Sequence, residues 1–209
     1  RNTTTGTVSK GTGTVATLTT SNTTFSYSPS GWTNGSVTAT VSTTVTGYTL
    51  QTSKDGKTWN STNTQTFTAN GTVYARLWDG TNYGGSATGN FTNIDKLAPN
   101  TFTPTATSTT KSITVTASTT DQNATSTNGK SNIAGYRFKL DSGSWTSYQT
   151  SGTYTWNNLA QTTNHTITVE AKDNAGNTTT GTVSKGTGTV TGLTTSNTTF
   201  SYSPSGWTN

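Results

Sequence analysis

The sequence predicts an all-β protein made of tandem β-sandwich domains, and three observations carry that expectation. Short segments alternate apolar and polar residues with the period of a strand, turn residues punctuate them, and no stretch shows the helical period. The 209 residues include 60 threonines, with 26% hydrophobic, 10% aromatic and only 9% charged residues. Threonine keeps the β-branched preference for extended backbone while offering water a hydroxyl, so such a composition suits thin, two-faced sheets better than disorder.

The strands follow in order. Val37, Ala39 and Val41 mark one strand and Tyr48 and Leu50 the next, with Asp55-Gly56 as a hairpin signal. Phe67 begins the next segment, Asn70-Gly71 turns the chain, Val73, Ala75 and Leu77 alternate, and Phe91 lies on a closing strand. The second series starts at Ile113, Val115 and Ala117 and crosses a polar loop from Ser118 to Asn132. It resumes at Tyr136, Phe138 and Leu140, then at Tyr154, and then at Ile167, Val169 and Ala171. Val183 and Val190 are assigned to a last strand. Between the two series, Asn93 to Asn100 (NIDKLAPN) reads as a short, semi-rigid linker.

A long internal repeat sets the domain boundaries. Asn2 to Asn34 recurs as Asn177 to Asn209, an offset of 175 residues, with Ala16 and Thr17 replaced by Thr191 and Gly192. That period is too long for a solenoid unit and implies copying of whole domains. Within it, GYTLQTSKDGKTW (Gly47 to Trp59) is echoed by GYRFKLDSGSW (Gly135 to Trp145), so one period holds two diverged domains of one fold. Residues 1–17 are therefore expected to be the terminal strand of a preceding repeat. Residues 18–95 and 96–192 form two sandwiches, and residues 193–209 are the first strand of the next repeat.

Asn158 to Asn177 (NLAQTTNHTITVEAKDNAGN) resembles the fibronectin type III pattern in which a leucine precedes a corner tyrosine by six residues. Here Leu159 holds the first position and His165 the second. GYTLQTSKDGKTW and NGTVYARLWDG, leading to NIDKLAP, resemble the bacterial immunoglobulin-like repeats of large surface and cell-wall-associated proteins. The resemblance implies tandem immunoglobulin-like β-sandwich domains in an extracellular setting, at the cell surface or in the cell wall. The absence of cysteine agrees with domains that stand on packing rather than on disulfides.

Candidate chemistry is sparse. Seven carboxylates, one histidine and no cysteine give no nucleophile beside a base, so no enzyme and no catalytic residue is expected. No cofactor is expected either. Calcium is weighed because Asp95 is the best single ligand candidate and Asp173 the next, although such aspartates equally suit turns that bond their own backbone. Glu170 is expected to point away from the Ile167 and Val169 face, leaving no acid clearly buried. Trp59 and Trp145 should pack against the sandwich, whereas Trp78, out of phase with Val73, Ala75 and Leu77, is the candidate for ligand binding.

The twelve Lys and Arg residues are scattered singly, so the net charge of +5 predicts no nucleic-acid partner, and no run of about 18 apolar residues predicts membrane insertion. No signal peptide is visible, as expected of an interior piece of a longer precursor. The expected function is structural: a repeat unit of a bacterial stalk, adhesin shaft or filament, with its end strands paired head to tail to other copies. Thr3, Gly6, Val8, Val15, Phe200, Tyr202 and Trp207 are the expected self-assembly residues. The alternative is an accessory module binding surface polysaccharide or a host ligand.

Overall fold

The computed structural model describes residues 13–190 together with 192 and 199. Twelve strands and no helix occupy the described residues: β1 Thr23–Ser28, β2 Val37–Thr43, β3 Thr49–Ser53, β4 Thr64–Phe67, β5 Gly71–Trp78, β6 Ala87–Phe91, β7 Thr105–Ser108, β8 Ile113–Thr116, β9 Ile133–Leu140, β10 Thr153–Trp156, β11 Asn164–Asp173 and β12 Thr178–Gly186. They form four three-stranded sheets, in the orders β1-β2-β4, β3-β5-β6, β10-β8-β7 and β12-β11-β9.

The chain divides into two compact units that interleave in sequence. The first takes residues up to Asn100 with Thr119–Ala134 and Ala171–Thr179, and the second takes Thr101–Ser118, Gly135–Glu170 and the residues after Thr179.

In the first unit β2 pairs antiparallel with β1 and β4, and β5 with β3 and β6. The alternating residues behave as the strand period demands: Val37, Ala39 and Val41 of one sheet and Val73, Ala75 and Leu77 of the other are fully buried in one core. Val15, Leu18, Phe67, Phe91 and Ile94 complete it. Two sheets with a shared apolar interior make this unit a β-sandwich.

The second unit buries Ile113 and Val115 of β8, Phe138 of β9, and Ile167 and Val169 of β11. The Phe138 and Tyr154 rings stack at 5.5 Å, and Tyr154 meets Trp156 edge-on at 4.8 Å.

The threonine faces are visible as cross-strand hydroxyl pairs. Thr38 meets Thr66 at 3.2 Å, Thr114 meets Thr155 at 2.9 Å and Thr116 meets Thr153 at 3.4 Å, each directly opposite in register and exposed. Pairs of this kind contribute roughly 0.2–1 kcal/mol each, which matters where the core is thin.

Several expectations are corrected. Val190 lies outside β12 and is 58% exposed, so it closes no strand. Leu50 of β3, and Tyr48 just before it, pack against the core as expected, but the next inward position is polar: Thr52 is buried and satisfied by donating to the Thr62 carbonyl and accepting from Gln65. The segment Asn93 to Asn100, expected as a short semi-rigid linker, begins inside the first unit, where Ile94 and Asp95 are fully buried. Glu170 is also buried: Arg137 donates to it at 2.8 Å and Tyr148 makes a short hydrogen bond to it. Burial and that bond push the Tyr148 hydroxyl up to about 12.

Candidate metal centre

Three carboxylates converge within the first unit. Asp95, Asp121 and Asp173 are at most 3% exposed, and one ligand oxygen from each lies within 4.8 Å of the other two. They come from three distant stretches of chain, each fixed by its own local chemistry.

Asp95 follows Ile94, whose side chain is sunk in the core. The Asn70 side chain clamps the Ile94 peptide from both sides, accepting from its N–H and donating to its carbonyl, each at 2.8 Å. The Asp95 N–H donates to the Thr33 carbonyl, which completes the anchoring of this backbone. Its carboxylate accepts from the Asn128 amide, the Leu97 N–H and the Ser131 N–H at 2.9, 3.1 and 2.8 Å. Burial opposes ionisation here, but the hydrogen bonds from Ser131, Asn128 and Leu97 outweigh it and hold the carboxyl below its ordinary range.

Asp121 sits in the polar loop before β9, accepting from the Gln122 N–H at 3.0 Å and the Asn132 N–H at 2.7 Å. Burial, and then the negative charges of Asp95 and Asp173, push its carboxyl up, and its two backbone hydrogen bonds only partly offset them.

Asp173 ends β11 and organises the following turn. One oxygen accepts from the N–H groups of Gly176 and Asn177 at 2.7 and 2.8 Å, the other from the Asn177 side chain at 2.8 Å. Gly176 has φ +99°, a conformation open to glycine, so this turn depends on it. Asn177 also reaches the carbonyls of Asp95 and Leu97, which binds the turn to the first stretch.

The donor set is all oxygen, without sulfur or imidazole, and suits a hard divalent cation. Two oxygens on opposite sides of a calcium ion, each about 2.4 Å from it, stand at most about 4.8 Å apart. Three oxygens that all lie within 4.8 Å of one another are close enough to share one such ion. The Arg137–Glu170 and Asp141–His165 ion pairs lie elsewhere, on other residues than these aspartates.

Asp95 and Asp173, singled out from sequence, are thus brought together, and Asp121 was missed because a lone acid in a polar loop carries no periodic signal. Trp78 is half-buried on the outer side of β5, opposite Thr49 and bridged to Tyr83. Beside it the Arg76 guanidinium lies between the rings of Trp59 and Tyr83, at 4.2 and 4.0 Å from their centroids, while its Nε donates to Gln51. In the second unit Arg137 covers Trp145 at 4.6 Å. Trp59 and Trp145 therefore pack against outer-face arginines.

His165, at the corner position, pairs through Nδ1 with Asp141 at 2.7 Å, and its Nε2 is buried without a partner. Val15, expected on an assembling strand, is buried in the first unit of its own chain. Thr3, Gly6, Val8, Phe200, Tyr202 and Trp207 lie outside the described residues.

No protein-family model and no curated protein matches the chain. Solved structures do. Titin domains A168–A170 align at 14% identity over 74% of this chain and 61% of that fragment, with a TM-score of 0.44. The fibronectin(III)-like modules of Clostridium thermocellum CbhA align at 20% identity, over 79% of this chain and 94% of theirs, with a TM-score of 0.38. Domains FN1–FN3 of chicken CNTN1 align at 14% identity, over 85% and 69%, with a TM-score of 0.36. The fold assignment rests on the sheets and core of the chain itself: it is all-β, of the immunoglobulin-like sandwich class.

Proposed function

We propose that this chain is a structural repeat of an extracellular bacterial stalk, adhesin shaft or filament, and that Asp95, Asp121 and Asp173 hold a calcium ion that ties its first unit together. The single observation behind this reading is the burial of three carboxylates from three distant stretches in one oxygen-lined centre. Left alone, they repel one another. A divalent cation turns that repulsion into a cross-link between residues 93–100, the 119–134 loop and the 171–179 turn.

The 175-residue near-identity supports a repeating array, and with it pairing of end strands between neighbouring copies. The thin cores and the threonine faces fit a protein whose performance lies in length and stiffness. The carbohydrate-binding alternative needs paired exposed rings. Among the described residues the exposed large apolar side chains are Trp32, Tyr83 and Val190, and the Tyr83 ring is stacked on Arg76.

Calorimetric titration of calcium into chelator-stripped protein tests the proposal. One saturable site per chain is expected, weakened about a hundredfold in Asp95→Asn. Absence of saturable binding in the millimolar range or below would remove the metal from the reading. Negative-stain imaging of the native source protein tests the rest, with long uniform fibres expected.

A further inference from the structure

The repeat supplies two near-identical copies of one segment, and the first unit contains a seat built for it. In the described copy Val15 and Leu18 enter the core, and the Leu18 N–H donates to the Gly85 carbonyl. Strand β1 then pairs with β2 from Thr23↔Thr43 to Ser28↔Thr38. The floor of the seat is made of glycines. A Cβ on Gly84 would collide with the Ala16 carbonyl oxygen, one on Gly85 with the Thr17 methyl, and one on Gly89 with the Tyr27 hydroxyl and the Phe25 ring.

Val190 holds in the second copy the place that Val15 holds in the first. Val15 is 9% exposed and Val190 58%. Residues 188–203 read GTVTGLTTSNTTFSYS against GTVATLTTSNTTFSYS for residues 13–28. The six residues of β1, TTFSYS, recur unchanged at 198–203. The two differences are compatible with the seat. Ala16 packs half-buried at the edge of the core, so Thr191 in its place can set its methyl on the core and keep its hydroxyl in water, and Thr17 is exposed, so Gly192 forfeits one methyl contact.

We infer that the seat formed by β2, β6 and Gly84–Gly85 is an interaction site for a second copy of this chain, whose residues 188–203 can replace residues 13–28. This deepens, and rests on, the reading of the chain as a repeat paired to neighbouring copies. The exchange conserves contacts, so it gains nothing while the resident segment is intact and competes at the effective concentration of a tethered strand. It acts when the resident segment is weakened or withdrawn. Then the second copy closes the seat by strand addition and joins chain to chain head to tail.

The full chain carrying Val15→Asp and Leu18→Asp tests this. Light scattering after chromatography should shift from the 21.8 kDa monomer of the unaltered chain to multiples of that mass. Adding Val190→Asp and Leu193→Asp should return the protein to monomer. A synthetic peptide of residues 188–203 should then bind that quadruple variant and restore the first unit's melting transition. A monomeric double variant, assembly that survives in the quadruple variant, or a peptide without effect would overturn the inference. Calcium binding in a chain that fails these tests would leave the stalk reading standing, and exchange in a chain blind to calcium would leave only the exchange.

Discussion

Asp121→Asn separates the two forces acting at the centre. In chelator the substitution removes a buried charge facing two others, but it also turns one amide N–H toward the Gln122 or Asn132 N–H, forfeiting a hydrogen bond. Each effect is worth about 1–3 kcal/mol and they oppose, so metal-free stability should move by less than about 2 kcal/mol. In calcium the effects add. At a hundred times its dissociation constant, calcium stabilises the unaltered chain by about 2.7 kcal/mol. That corresponds to about 5–11 °C in Tm for a chain of this length. Losing one of three charged ligands is expected to weaken the site about a hundredfold, within the span over which ligand charge tunes calcium affinity. The same calcium concentration then equals the variant's dissociation constant and contributes about 0.4 kcal/mol, or roughly 1–2 °C. Scanning calorimetry of both proteins, each with calcium and with chelator, reads all four values. An equal calcium shift in the two proteins would refute the assignment of Asp121 as a ligand.

Other consequences are open to measurement. Leu77→Ala, at a fully buried position, should cost about 2–5 kcal/mol in denaturant unfolding of the first unit. Gly89→Val should prevent β1 from seating, exposing Tyr27 and Phe25 to solvent and lowering Tm by more than Leu77→Ala does. Arg76→Ala should redden the Trp59 emission while costing only about 0.5–2 kcal/mol, since the guanidinium it removes is partly solvated. The hydrogen bond from His165, then that from the Thr166 N–H, holds the Asp141 carboxyl below its ordinary range. Because the folded-state value is depressed, its stabilisation is present above the ordinary carboxylate value and is lost as pH falls through the folded one. Asp141→Asn should flatten that acid limb in a pH series of unfolding curves.

The sandwich was legible wherever one face of a strand is apolar. Val37-Ala39-Val41 and Val73-Ala75-Leu77 declare their strands because each alternate residue meets the opposite sheet. β7 (TATS) escaped because three of its four residues are exposed and it buries none, so nothing alternates. Glu170 was misread because β11 is covered on both faces near its end, where Arg137 and Tyr148 close over the side that alternation assigned to solvent. The centre was half-legible. Asp95 and Asp173 stand in turn-like contexts that draw the eye, whereas Asp121 becomes a partner only once the 119–134 loop lies against Ile94 and the Asp173 turn. That juxtaposition depends on side-chain amides, Asn70, Asn128 and Asn177 above all, and residues so common in this sequence give no warning of special duty.

Residue-resolved amide exchange, with and without calcium, bears most directly on the proposal. Calcium should slow exchange at the N–H groups that face the three carboxylates, those of Leu97, Gln122, Ser131, Asn132, Gly176 and Asn177, and leave β7, β8 and β10 unchanged. Exchange at those six amides that is indifferent to calcium, or that slows uniformly along the chain, would contradict a metal tie at Asp95, Asp121 and Asp173.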